Sequence, residues 1–253
     1  MALLDVLALE RVERDLFRST VVFEEPWALY GGQVAAQALL AAGRTVDPER
    51  TPHSLHGYFL RPGNSGRPVV FQVARDRDGR SFSARRVVAV QDGEVILNLS
   101  ASFHQVDPEA PDETGPPSPD APMSGELTLP DRLVGFEQRL TGEPFHSYPT
   151  RGWLRCVEPL PDDPLVHAAV LTYLSDLYTG HGALASSTGR NQSTLDHALW
   201  FHRPVDVGQW VLTDLRTRSV SQGRGLYTGE IWTADGMLVA SLAQETLYRV
   251  RKD

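Results

Sequence analysis

The chain has 253 residues, of which 41% are apolar and 22% charged, and a formal net charge of −8. That is ordinary globular usage and enough chain to bury a substantial core, so neither general disorder nor a membrane-spanning class is supported, and the acidic balance argues against non-specific nucleic-acid binding, which needs a basic excess. Its single lysine, Lys252, and single cysteine, Cys156, exclude Schiff-base chemistry, a Walker-type phosphate loop, a disulfide framework, a Cys-rich zinc site and an iron–sulfur cluster, and fit a reducing, cytoplasmic compartment.

In chain order, the opening MALLDVLALERVER has no basic n-region and carries Asp5 inside its apolar stretch, so it does not read as a signal peptide. Residues 31–46, GGQVAAQALLAAGRTV, predict an Ala-rich helix opened by Gly31-Gly32. Short runs with period-two alternation follow, divided by Gly, Pro and Asp-Gly, which is the pattern of hairpin-linked antiparallel strands. Next comes DPEAPDETGPPSPDAP, residues 107–122, with six prolines, five acids and no basic residue, the composition of a solvated, extended linker. A second helix is predicted over 163–180, with Asp163 as N-cap, Pro164 in the first turn and Gly180 beyond the end. Both helices are apolar nearly all round, so each must be buried, and the natural partner is the sheet made by the strands after it.

These parts form an internal repeat. Arg61-Pro62 closes HGYFLRP and Arg203-Pro204 closes HALWFHRP, 142 residues apart (203 − 61). Asp92-Gly93 and Asp235-Gly236 each separate two apolar runs, 143 apart (235 − 92). The intervening runs agree in order, VVFQVAR with WVLTDLR, FSARRVVAV with LYTGEIWTA, and VILNLSASF with LVASLAQETLYRV. The domain division expected is 1–106 and 125–253 as two repeats joined by 107–124.

The stretches YGGQVAAQALLAAGRT, PHSLHGYFLRPG, GRSFSARRVVAVQDG and SASFHQ resemble the first half of type II acyl-CoA thioesterases. YLSDL, STLDHALWFHRP, GRGLYTGEIWTADGMLVAS and AQE resemble the second half. The resemblance runs from about residue 3 to 250, broken by the acidic linker. It implies an α+β double hotdog, two tandem repeats in which an antiparallel sheet wraps a central helix, and hydrolysis of acyl-CoA to free acid and CoA with no cofactor and no metal. It also implies a water activated by an Asp, a Thr and a Gln, which fall by motif on Asp176, Thr194 and Gln244.

The residues carry weight of their own. Asp176 sits late in the predicted second helix among Leu171, Tyr173, Leu174 and Leu177. A carboxylate there is desolvated and meets the negative end of the helix dipole, an environment that works against its charge and that a merely structural position would avoid. Gln244 shares an inward face with Leu238, Ala240, Leu242, Thr246 and Tyr248, and a buried amide needs polar partners. Its counterpart in the first repeat is Ala101 (244 − 143), so only one of two equivalent positions is polar. Thr194 alternates with Leu195 and is expected to share a face with Asp196, a rival base read as structural. Gly31-Gly32 at a helix N-terminus is the candidate oxyanion donor.

Arg75, Arg77, Arg80, Arg85 and Arg86 are either a basic patch for the phosphates of CoA or a solvated strand face, so CoA-binding residues stay unassigned. GNSG at 63–66 lacks the Gly-x-Ser-x-Gly elbow, His53 and His56 fall on opposite faces of a strand, and Cys156 reads as a small core side chain. The alternatives are a hotdog enoyl-CoA hydratase or dehydratase and a non-catalytic acyl-CoA binder. Expected partners are the acyl-CoA substrate and further copies of the chain, without nucleic acid or membrane.

Overall fold

Alternating apolar and polar runs broken by glycine build the hairpins of this chain, and two of its glycines let helices meet. The computed structural model describes residues 2–22, 28–115, 118–126, 135–141, 150–182 and 190–250. They fall into two compact units, Met1–Pro111 with Leu160–Leu174, and Asp112–Pro159 with Ser175–Asp253.

In chain order, α1 is Leu3–Leu7, β1 Leu9–Glu13, β2 Leu16–Ser19, α2 Gly31–Gly43, β3 Arg50–Phe59, β4 Val70–Asp78, β5 Phe82–Gln91 and β6 Glu94–Gln105. Then come β7 Met123–Glu126, β8 Phe136–Thr141, β9 Arg151–Cys156, α3 Pro164–Ser175, β10 Arg190–Phe201, β11 Val211–Ser221, β12 Arg224–Thr233 and β13 Leu238–Val250. Strands of the first unit are ordered β1-β2-β4-β5-β6-β3, and those of the second β10-β13-β12-β11-β9-β8-β7. The pairings in both are antiparallel.

The repeat is therefore real in three dimensions: β3-β6-β5-β4 recurs as β10-β13-β12-β11. Its Arg-Pro anchors do the same work twice, Arg61 donating to the Val95 carbonyl at 2.9 Å and Arg203 to the Leu238 carbonyl at 2.8 Å. Asp92 and Gly93 turn between β5 and β6 with φ of 51° and 79°, the left-handed pair that a tight two-residue hairpin demands.

In the first unit α2 packs against β2 to β6, and its small residues also admit α3. A Cβ on Gly32 would lie 2.5 Å from the Tyr173 carbonyl oxygen, and one on Gly43 would lie 2.4 Å from Leu165. Glycine at both ends of α2 thus permits close antiparallel contact with α3, and the Tyr30 hydroxyl donates to the Tyr173 carbonyl at 2.8 Å. This helix-to-helix contact adds to the sheet contact expected for α2. Gly31 opens α2 within this unit, behind Tyr30 as N-cap.

The second unit has a local core of Ala121, Trp153, Leu212 and Trp232. The acidic linker is exposed over residues 107–115 but tethered. Arg203 pairs with Asp112 and donates to the Thr114 hydroxyl at 3.0 Å, while Ala121 is buried and its carbonyl accepts from the Trp153 indole at 2.8 Å. Residues 116 and 117 of the linker lie outside the described residues, as does Lys252. No described helix is long and apolar enough to cross a membrane.

Candidate active site

Asp163 caps α3 as expected, its carboxylate accepting from the Leu165 amide at 2.9 Å. The helix ends sooner than the apolar pattern does. Its last residue is Ser175, so Asp176 lies in the turn that follows and is half-buried, not within the helix. Gly180 is accordingly no helix cap. Its lack of a side chain lets the segment after α3 lie against Tyr227 of β12, where a Cβ would meet the Tyr227 Cβ at 2.3 Å. The Tyr227 hydroxyl donates to the Tyr178 carbonyl at 3.2 Å and the Thr217 hydroxyl to that of Gly180, so Asp176 hangs from a segment tied down behind it.

On β13 the inward face is as the alternation predicts, with Ala240, Leu242, Gln244, Thr246 and Tyr248 buried. On β10 the alternation breaks. Thr194 pairs with Thr246, Asp196 with Glu245 and His197 with Gln244, a bulge that skips Leu195. One extra residue turns the strand over. Thr194 thus shares its face with His197, and Asp196 does not, contrary to strict period two. The Asp196 carboxylate accepts from the Glu245 amide at 2.8 Å, a backbone partner.

The three side chains singled out in the sequence meet within this unit. The Gln244 side-chain nitrogen donates to Asp176 Oδ1 and to Thr194 Oγ1, each at 2.9 Å, and Thr194 Oγ1 donates to Asp176 Oδ1 at 3.2 Å. Two residues that sequence reasoning passed over complete the cluster. His197 Nδ1 makes a hydrogen bond to Gln244 Oε1, and its Nε2 lies 2.8 Å from the Ser175 hydroxyl. The sequence signal for His197 was its place in STLDHALWFHRP, masked by the bulge.

Tyr227, paired with Gln244 across β12 and β13, walls the cluster. Burial raises its phenol well above the usual range, and the charge of Asp176 pushes the same way. A carboxylate, an amide and a hydroxyl sharing hydrogen bonds can hold a small hydroxylic molecule and accept its proton. Among the described residues no group of three or more His, Cys, Asp or Glu side chains is placed to hold a metal ion.

The family profile described as the acyl-CoA thioesterase N-terminal domain matches residues 23–104, and that of the acyl-CoA thioesterase C-terminal domain matches residues 108–248. The chain belongs to the acyl-CoA thioesterase family. It is 33% identical to acyl-coenzyme A thioesterase 8 of Homo sapiens over 97% of this chain and 88% of the relative. It is 32% identical to acyl-CoA thioesterase 2 of Haemophilus influenzae, over 98% and 96%. A crystal structure of an acyl-CoA thioesterase II from Mycobacterium marinum superposes with a TM-score of 0.85 at 37% identity, covering 99% of each chain. The thioesterase is thus a double hotdog and an acyl-CoA thioester hydrolase.

The arginine cluster divides on inspection. Arg85 is fully buried and bonded to Thr45, to the Arg77 and Ala84 carbonyls and to Asp78. Arg75 clasps Asp15 and Arg86 pairs with Asp76.

Proposed function

We propose that this thioesterase hydrolyses its substrate by direct attack of a water held by Asp176, Thr194 and Gln244. Asp176 takes the proton as the oxygen adds to the thioester carbonyl, and Thr194 and Gln244 fix the direction of attack. CoA thiolate leaves readily, so no dedicated acid is needed. The observation that carries the reading is the Gln244 amide bridging Asp176 and Thr194 at 2.9 Å to each. An acceptor, a donor and a hydroxyl that can be either are together the set that orients one water.

The test is thiol release by Asp176→Asn, which keeps shape and removes the base. Turnover is expected to fall by about 10²- to 10⁴-fold with the fold intact; hydrolysis near the wild-type rate removes the assignment. We further read the compartment as cytoplasmic, because the one thiol, Cys156, is buried and donates to the Glu158 carbonyl at 3.7 Å. The repeat boundaries 1–106 and 125–253 and assembly into homo-oligomers belong to the same reading, the latter checked by sedimentation.

A further inference from the structure

We propose that His197 is a positioning residue for hydrolysis, acting on the reaction only through the side-chain amide of Gln244. The inference rests on the catalytic reading above.

An amide can turn over with little change of shape, exchanging its donor and acceptor ends. At Gln244 one end faces Asp176 Oδ1 at 2.9 Å. An ionised carboxylate only accepts, so that end is the NH₂, and Oε1 must face His197. An amide oxygen only accepts, so His197 Nδ1 carries the hydrogen, and the ring is held in place from behind by the Ser175 hydroxyl at 2.8 Å on Nε2. Ser175 precedes Asp176 in the chain. The hydrogen bonds therefore close a ring from Ser175 through His197 and Gln244 to Asp176, and back along one peptide bond. Losing the donor on Nδ1 leaves a buried amide oxygen unpaired and lets the inverted amide, which repels the carboxylate, compete.

The first unit shows that the fold does not require this chain of bonds. In the same strand register, where His197 faces Gln244 across β10 and β13, Leu55 faces Ala101 across β3 and β6, and both are buried. An apolar pair satisfies the sheet there. The polar pair occurs in the unit that carries Asp176.

The experiment is a kinetic cycle on the full chain, following thiol release from the best of a series of saturated straight-chain acyl-CoA substrates. Asn can place a donor near the Nδ1 position and Gln cannot. His197→Asn is expected to keep kcat within about 3-fold, and His197→Gln to lower it about 10- to 100-fold with KM within about 2-fold. In a Gln244→Ala background His197→Gln is expected to change kcat by less than about 2-fold, because the group it acts through is gone. A wild-type kcat in His197→Gln, or losses that multiply in the double variant, overturns the proposal and leaves the catalytic reading standing. A wild-type kcat in Gln244→Ala removes both. Should His197→Gln fail to fold, Ser175→Ala runs the same cycle, with a loss of at least about 3-fold expected in the wild-type background and none beyond it with Gln244→Ala.

Discussion

Gly180 and Tyr227 share a space that admits only one side chain. A Cβ added to Gly180 would lie 2.3 Å from the Tyr227 Cβ and 2.5 Å from its Cγ, and atoms so close to the β12 backbone cannot swing away. The contact presses the segment that begins at Asp176 onto the strand paired with Gln244. Through it, a glycine four residues after Asp176 bears on the height of the carboxylate.

Gly180→Ala is therefore expected to cost about 1–3 kcal/mol of stability by overpacking, and to lower kcat further than that loss explains, because Asp176 moves with the segment. A thermal melt and thiol-release kinetics on the same preparation check both. A folded variant with wild-type kcat would show that Asp176 is placed independently of Gly180.

Arg85 occupies in β5 the register position that Tyr227 occupies in β12, opposite Ala101 as Tyr227 is opposite Gln244. Its guanidinium is spent on the Thr45 hydroxyl, Asp78 and three backbone carbonyls, so it cannot also meet a phosphate. Arg85→Met should leave the KM for acyl-CoA unchanged. It should destabilise the fold by about 2–3 kcal/mol through unpaired buried acceptors, a drop in Tm of roughly 4–10 °C. A raised KM with an unchanged Tm would instead make Arg85 a substrate ligand.

The repeat, the strands and the buried polar position at Gln244 were legible because each rests on local pattern, whereas Thr194 was singled out only through its motif. Asp-Gly marks a left-handed turn, period two marks a strand face, and a Gln among Leu and Ala on that face must have partners. What was not legible depends on breaks in period. The apolar run from Leu165 to Tyr178 continues past the helix that ends at Ser175, because the Tyr178 side chain is buried from the following segment as well as it would be from a helix. The bulge at Leu195 leaves no mark in composition, yet it exchanges Asp196 for His197 on the face that looks at Gln244. The role of Arg85 was hidden for a different reason: an arginine solvated on a strand and one buried under five hydrogen bonds look alike in sequence.

Asp15 sits at φ 59°, its backbone carbonyl accepting from the Val73 amide at 2.8 Å and its carboxylate clasped by Arg75 at 2.8 to 3.1 Å. The Arg75 hydrogen bonds hold its pKa below the ordinary 3.8, against a smaller opposing effect of burial. A depressed carboxylate stabilises the fold above its unfolded value, and the contribution disappears as pH falls through the folded one. Asn tolerates the same left-handed backbone, so Asp15→Asn isolates the charge. The variant should be less stable than wild type by at most about 1 kcal/mol above pH 4. The two Tm curves should converge as pH falls below 3.8; a gap that persists at lower pH would assign the difference to something other than the ion pair.

His181 carries the opposite sign. Its ring is buried, edge-on to Tyr227 and Tyr248 with centroids 5.4 Å from each, and burial lowers its pKa from 6.5, with the Gly225 backbone opposing in part. The unfolded chain therefore takes up a proton near pH 6.5 that the folded chain still refuses, so stability is full above that pH and falls as the solution is acidified through it. The slope for one such group is at most about 1.4 kcal/mol per pH unit. His53, His104 and His202 are shifted in the same direction by burial, so the whole protein should melt earlier at pH 5.5 than at pH 7.5. His181→Phe keeps an aromatic edge against the two tyrosines and takes up no proton. Its Tm should fall less than that of the wild type over the same interval, and an equal fall in both would mean that the acid sensitivity belongs to groups other than His181.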